Sequence, residues 1–182
     1  MLKATENPPR LLPGPRGVAD LSGQWWVGHT RARNEKAFAW DLLSKGIGYY
    51  LPLVERVTVS SGKKRRALMP LFPSYVFFCG SEEDRYKALT TNRLCQTIEV
   101  NNQSRLINEL ATIERALTGN AELDLYPHVA TGKRCRITQG PFRGLEGVVV
   151  ERRSTARFVL EISFISQGAA LEIDADLLEA AE

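Results

Sequence analysis

Pro70-Leu71-Phe72-Pro73-Ser74-Tyr75-Val76-Phe77-Phe78 decides how this chain folds. The stretch ends in a β-branched and aromatic run of the kind that fits a pleated surface. Pro70 and Pro73 lack amide donors, so the strand is expected to enter its sheet at an end or an edge. Read as one pleated strand, it sends Phe72, Ser74, Val76 and Phe78 to one face and Tyr75 and Phe77 to the other. One face can build a core. The other needs a helix or a partner to cover it, although an apolar strand is ordinarily a core strand.

Working outward, residues 49–59 read as a strand, with period two from Leu51 to Val59. Ser60-Ser61-Gly62-Lys63-Lys64-Arg65-Arg66 is expected as the tip of a hairpin from which the opening strand returns. Upstream, residues 25–30 read as a short strand. Asn34 is placed to cap a helix with a stripe of Phe38, Ala39, Leu42 and Leu43, ended by Gly46. Downstream, Ser81-Glu82-Glu83-Asp84 resembles a capping box, with acids where a helix dipole favours them. Its helix is expected to run to about Thr90, followed by a strand over residues 96–100. Ser104 is then expected to cap a longer helix with Leu106, Leu110, Ile113 and Leu117 on one stripe, closed by Gly119. The order β-α-β-β-α-β-α is the split βαβ pattern of an α/β sandwich.

The two ends differ in texture. Residues 1–22 hold Pro8, Pro9, Pro13 and Pro15 with scattered charges, and are expected to be a flexible leader. Residues 119–131 lack periodicity and are expected to be a linker. Residues 132–182 hold short strands between glycine turns, Gly140-Pro141-Phe142-Arg143-Gly144 among them, which predicts a small closed β-barrel. The fold class expected is α+β: a domain over residues 23–118 with an antiparallel sheet, a linker, and the barrel.

Composition is that of an ordinary globular protein, at 43% hydrophobic and 25% charged residues. No apolar run approaches the ~20 residues needed to span a bilayer. The first residues carry no stretch of signal-peptide type, so a cytoplasmic location is expected. Cys79, Cys95 and Cys135 form no close pair, and His29 and His128 are the only histidines, which argues against disulfide and zinc frameworks. Neither a metal nor a cofactor is expected. Residues 23–80 carry nine Lys/Arg against three acids, a net +6, whereas residues 132–182 sum to −1. One basic region on an otherwise near-neutral chain suits a polyanion on one face.

Leu71-Phe72-Pro73-Ser74-Tyr75-Val76-Phe77 resembles the signature of the NusG family of transcription factors, with Ser74 where that family commonly has Gly or Asn. Gly132-Lys133-Arg134-Cys135-Arg136-Ile137, the Gly-Pro-Phe turn and Gly147-Val148-Val149 resemble a KOW motif. Together the two cover residues 23–182. The resemblance implies an NGN-like domain joined to an SH3-like KOW barrel, in an elongation or antitermination factor. The Gly144-Leu145-Glu146-Gly147-Val148-Val149-Val150 run and the end of the chain look closer to the operon-restricted paralogues of that family.

By the same resemblance, Phe72, Tyr75 and Phe77, with His29, would meet the clamp helices of the RNA polymerase largest subunit. Arg31, Arg33 and Lys36 would face the non-template DNA strand, and Lys63, Lys64, Arg65 and Arg66 would contact DNA phosphates or polymerase. The loop holding Phe164 and Ile165 is where relatives recruit a ribosomal protein or a termination factor, though both residues also suit a barrel core. A monomer is expected.

Two rivals remain. A ribosome-associated RNA-binding KOW protein would be favoured if the barrel carried the excess charge, and it does not. A plain adaptor joining two proteins would need no nucleic acid. An enzyme lacks support, since no nucleophile–base motif or phosphate-binding glycine loop is spelled.

Overall fold

The stretch read above as one strand divides at Ser74 in the computed structural model, which describes residues 6–60, 62–128, 130–152 and 155–181. Five residues of the expected leader, Ser61 at the hairpin tip, Val129 of the linker, and Arg153, Ser154 and Glu182 of the barrel region lie outside the described residues. Strand β4 (Lys63–Pro70) ends on the first proline, and β5 (Tyr75–Gly80) begins after the second. Between them the Tyr75 amide donates to the Phe72 carbonyl at 3.2 Å, and Ser74 sits at φ 68°. Proline followed by a left-handed residue is the chemistry of a type II turn. The turn shifts the pleat, so Phe72 is carried to the face of Phe77, where their rings meet edge to face at 6.2 Å.

Residues 49–59 also divide, at Pro52, into β2 (Gly48–Tyr50) and β3 (Leu53–Ser60). The Pro52 carbonyl accepts the Leu71 amide at 2.8 Å and closes the base of a hairpin. Thus β3 and β4 form a two-stranded sheet of their own, inserted between β2 and β5. The remaining strands, with β1 (Gln24–Thr30) and β6 (Leu94–Glu99), make an antiparallel sheet in the order β2-β5-β1-β6. Helix α1 (Glu35–Ser44) lays Phe38, Ala39 and Leu42 against Trp26, Tyr49, Val76 and Phe78. At Gly28 a Cβ would meet Leu94 at 2.9 Å, the Val76 carbonyl at 3.2 Å and Phe38 at 3.3 Å, so glycine lets helix and sheet close here without displacing the Leu94 side chain. Helix α2 (Glu82–Leu89) starts at the expected capping box, with Ser81 and Asp84 bonded reciprocally.

The leader is not loose from residue 6 onward. Leu11 bridges Tyr50, the Leu51 amide donates to the Arg10 carbonyl at 2.7 Å, and Val18 is fully buried. An extended segment satisfies its backbone against a sheet edge without any periodicity to announce it.

By compactness the chain forms two units, Met1–Gln103 and Ser104–Glu182, so the division falls at the start of α3 (Gln103–Thr118) instead of after it. The expected stripe of Leu106, Leu110, Ile113 and Leu117 is buried. Helix α3 ends through Asn120 at φ 61°, the left-handed residue expected of a glycine. The expected linker is partly structure: Leu123 is buried and β7 (Asp124–Tyr126) pairs with β11 (Gln167–Asp174). With β8 (Lys133–Ile137), β9 (Glu146–Arg152), β10 (Thr155–Ile162) and β12 (Leu178–Ala180), these make an antiparallel sheet in the order β12-β8-β9-β10-β11-β7. Phe158, Ile137 and Ile162 are fully buried in this unit. The Gly-Pro-Phe turn forms as expected, the Gly144 amide donating to the Ile137 carbonyl at 2.7 Å. No described helix is long and apolar enough to cross a membrane.

Candidate functional site

The sheet's second face carries Trp25, Val27 and His29 from β1 opposite Cys79, Phe77 and Tyr75 from β5. Directly opposed residues of antiparallel strands share a face. Burial falls off along it: Trp25, Val27 and Phe77 are inaccessible, while His29 and Tyr75 are half-buried. The last two stack, ring centroids 5.2 Å apart at 24°. Of the four aromatic positions singled out for polymerase, Phe72 and Phe77 are only 1% and 0% exposed. They lie buried beside the stack, Phe77 on the same face as Tyr75 and Phe72 against Phe77, and the accessible pair of the four is His29 with Tyr75. The sequence could not separate them, because Tyr75 and Phe77 share a face in either reading and the shift of pleat at Ser74 brings Phe72 to it as well.

Immediately past His29 the chain turns into α1. Arg31 and Arg33 are exposed, and Arg33 holds φ 61°. Asn34 sits before the first helical residue but makes no side-chain cap. Its Oδ1 instead accepts from the Arg93 guanidinium at 3.2 Å, whose Nε also meets Asp41 at 3.0 Å. The Arg93 carbonyl in turn accepts the Arg31 amide at 2.8 Å. Lys36 differs from its neighbours: its Nζ donates to the Leu68 carbonyl at 2.5 Å, and desolvation lowers its pKa against the raising effect of Glu35. That ammonium anchors the hairpin base and is not presented to a ligand.

Glu35 and Arg93 are the residues that sequence reasoning missed. The Glu35 side chain is 7% exposed with its carboxylate accepting the Ser74 amide at 2.7 Å, and the Thr30 amide donates to the Ser74 carbonyl at 2.8 Å. No pattern reports such a pairing, because residues 35 and 74 meet only through the fold.

Lys63, Lys64, Arg65 and Arg66 lie within β4, not at the tip, and all four are exposed. Lys64 and Arg66 share a face with Val59 and Val57, while Lys63 and Arg65 occupy the opposite one. The valines are 66% and 55% exposed. Arg66 also pairs with Glu55 at 3.3 Å, both well exposed, an ion pair worth about 0–1 kcal/mol. The hairpin therefore carries cations on both faces.

In the second unit, Phe164 and Ile165 form a single turn of 3-10 helix (Ser163–Ile165). Ile165 is buried at 8% exposure and Phe164 is half-buried. The Glu109 carboxylate of α3 accepts the Ser163 hydroxyl at 2.7 Å and its amide at 3.1 Å, which fixes this turn. Among the described residues no group of three or more His, Cys, Asp or Glu is arranged to hold a metal ion. Burial, with a smaller contribution from Asp84, pushes the Cys79 thiol up to about 12, so it is inert as a nucleophile.

No curated protein matches the sequence. Two solved structures resemble the fold. The first, titled "Domain interaction in Thermotoga maritima NusG", is 17% identical with a TM-score of 0.47, covering 91% of this chain and 100% of that one. The second, titled "Crystal Structure of MjSpt4:Spt5 complex conformation B", is 14% identical with a TM-score of 0.29, over 87% and 97%. At those values neither carries an argument. Residues 23–118, more than half of the chain, match the family described as "Transcription termination factor nusG". The chain belongs to the NusG family of transcription factors.

Proposed function

We propose that this protein is an elongation or antitermination factor that rides on transcribing RNA polymerase. The observation that carries the reading is an adjacency: the half-buried His29–Tyr75 stack lies two residues from the exposed Arg31 and four from Arg33. An aromatic anchor backed by a rigid core suits a protein partner, here the clamp helices of the polymerase largest subunit. Exposed arginines beside it suit the phosphates and unpaired bases of the non-template strand. Lys63, Lys64, Arg65 and Arg66 extend the cationic surface along the hairpin. Phe72 and Phe77 act through the core beside the stack.

The second unit is read as a KOW barrel whose 163–165 turn recruits a further protein, a ribosomal protein or a termination factor, through Phe164. The test is a polymerase pull-down paired with binding to single-stranded DNA. Tyr75→Ala is expected to stay folded and lose polymerase; Arg31→Ala with Arg33→Ala is expected to keep polymerase and lose salt-sensitive DNA binding. A folded Tyr75→Ala protein that captures polymerase as well as the parent does would remove the assignment.

A further inference from the structure

The 31–34 turn is gripped from two sides, by Ser74 with Glu35 on one and by Arg93 on the other. On one side, the Thr30 amide and the Glu35 carboxylate hold opposite ends of the same peptide residue, Ser74, at 2.8 and 2.7 Å. Both flanks of the turn are thereby pinned to one point. On the other side, the Arg93 carbonyl holds the Arg31 amide at 2.8 Å, and its guanidinium holds Asn34 at 3.2 Å. The turn closes on itself where the Asn34 amide donates to the Arg31 carbonyl at 3.0 Å. With these bonds made, Arg31 and Arg33 are exposed on a turn whose two ends are held in place.

Two features indicate that this shape is held for a purpose. Arg33 adopts φ 61°, a conformation that a long side chain keeps only where its surroundings over-determine it. Glu35 is a buried carboxylate that spends a hydrogen bond on the Ser74 amide, with the Lys36 ammonium as its electrostatic neighbour. A charge-assisted bond to a backbone N–H is stronger and shorter than a neutral one, which suits a fixed clamp.

We infer that Glu35 is a positioning residue for nucleic-acid binding: clamped on Ser74, it keeps the turn in the form that presents Arg31 and Arg33 together to a single strand. The inference rests on the nucleic-acid reading above. A strand meeting a turn already held at its ends has mainly two side chains left to order, so less of the binding energy goes into ordering. Glu35 also ties the turn to Ser74, the residue that precedes Tyr75.

The experiment uses the full chain, a fluorescein-labelled oligothymidylate read by anisotropy, thermal unfolding, and hydrogen exchange at the Ser74 amide. Glu35→Ala is expected to weaken DNA binding about tenfold and to release the Ser74 amide to exchange. Glu35→Gln, whose amide oxygen accepts the same bond, is expected to stay within about twofold of the parent. Glu35→Asp keeps the charge but shortens the reach, and is expected to behave like the alanine variant. The inference is overturned if Glu35→Asp or a folded Glu35→Ala binds as the parent does. It is also overturned if Glu35→Gln, folded, fails to restore binding. If Arg31→Ala with Arg33→Ala binds unchanged, the nucleic-acid reading itself falls, an outcome separable from the others by which variant is silent.

Discussion

Ser74 carries the most consequence of any single residue. Its positive φ turns the chain between β4 and β5, its carbonyl accepts the Thr30 amide, and its own amide donates to the Glu35 carboxylate. Glycine adopts that conformation without strain, so Ser74→Gly is expected to unfold within about 1 kcal/mol of the parent. Ser74→Val forces a β-branched residue into the left-handed region and is expected to cost about 2 kcal/mol, read from urea denaturation. The aromatics beside it divide by burial. Phe77→Ala empties a closed core and is expected to lose about 3–5 kcal/mol, whereas the half-buried Tyr75→Ala is expected to lose about 1 kcal/mol. The aromatic–proline run announced that a decisive segment lay here, but not which rings would be reachable. That depends on a turn whose sign is set at one residue, and serine does not advertise it as glycine would.

Among the elements, α2 was the most legible, because a capping box is spelled locally by Ser81 and Asp84 and needs nothing from the rest of the chain. The Ser81 amide and hydroxyl hold the Asp84 carboxyl below its ordinary 3.8. A carboxylate depressed in the folded state contributes stability above its ordinary value and loses that contribution as pH falls through the lower folded one. Helix α2 is therefore expected to fray as pH drops from about 5, and Asp84→Asn to remove that part of the pH dependence, read by amide exchange across the helix. The hairpin was half legible. Its basic cluster stood out, but the cut at Pro52 that puts β2 and β3 in separate sheets did not, since a period of two runs from Leu51 to Val59 across it. Replacing Lys63, Lys64, Arg65 and Arg66 together by alanine is expected to leave thermal stability nearly unchanged, since all four are exposed. The same change is expected to lower the salt slope of single-stranded DNA binding by about 0.7 for each phosphate no longer neutralised.

Across the whole molecule, the division into two units was readable from the change in texture near residue 132, but not its position. Helix α3 looks like the last element of the first pattern, and the family match also runs to residue 118, yet compactness starts the second unit at Ser104. The segment 119–131 lacks periodicity because β7 has only three residues, too short for an alternation to register. The docked leader escaped for a related reason: an irregular proline-rich segment buries Val18, in a single 3-10 turn, and Leu21 one at a time. What the residues did carry at this scale was the asymmetry of charge, +6 over residues 23–80 against −1 over residues 132–182. That asymmetry places the cationic turn and hairpin in the same unit as the His29–Tyr75 stack, and on it the account of a polymerase-riding factor depends. The most direct measurement is single-round transcription by purified RNA polymerase across a template with a pause and a terminator. The protein is expected to change pause lifetime or read-through, and folded Tyr75→Ala and Arg31→Ala/Arg33→Ala proteins to lose that effect. A parent protein with no effect at either element, or a Tyr75→Ala protein as active as the parent, would contradict the account.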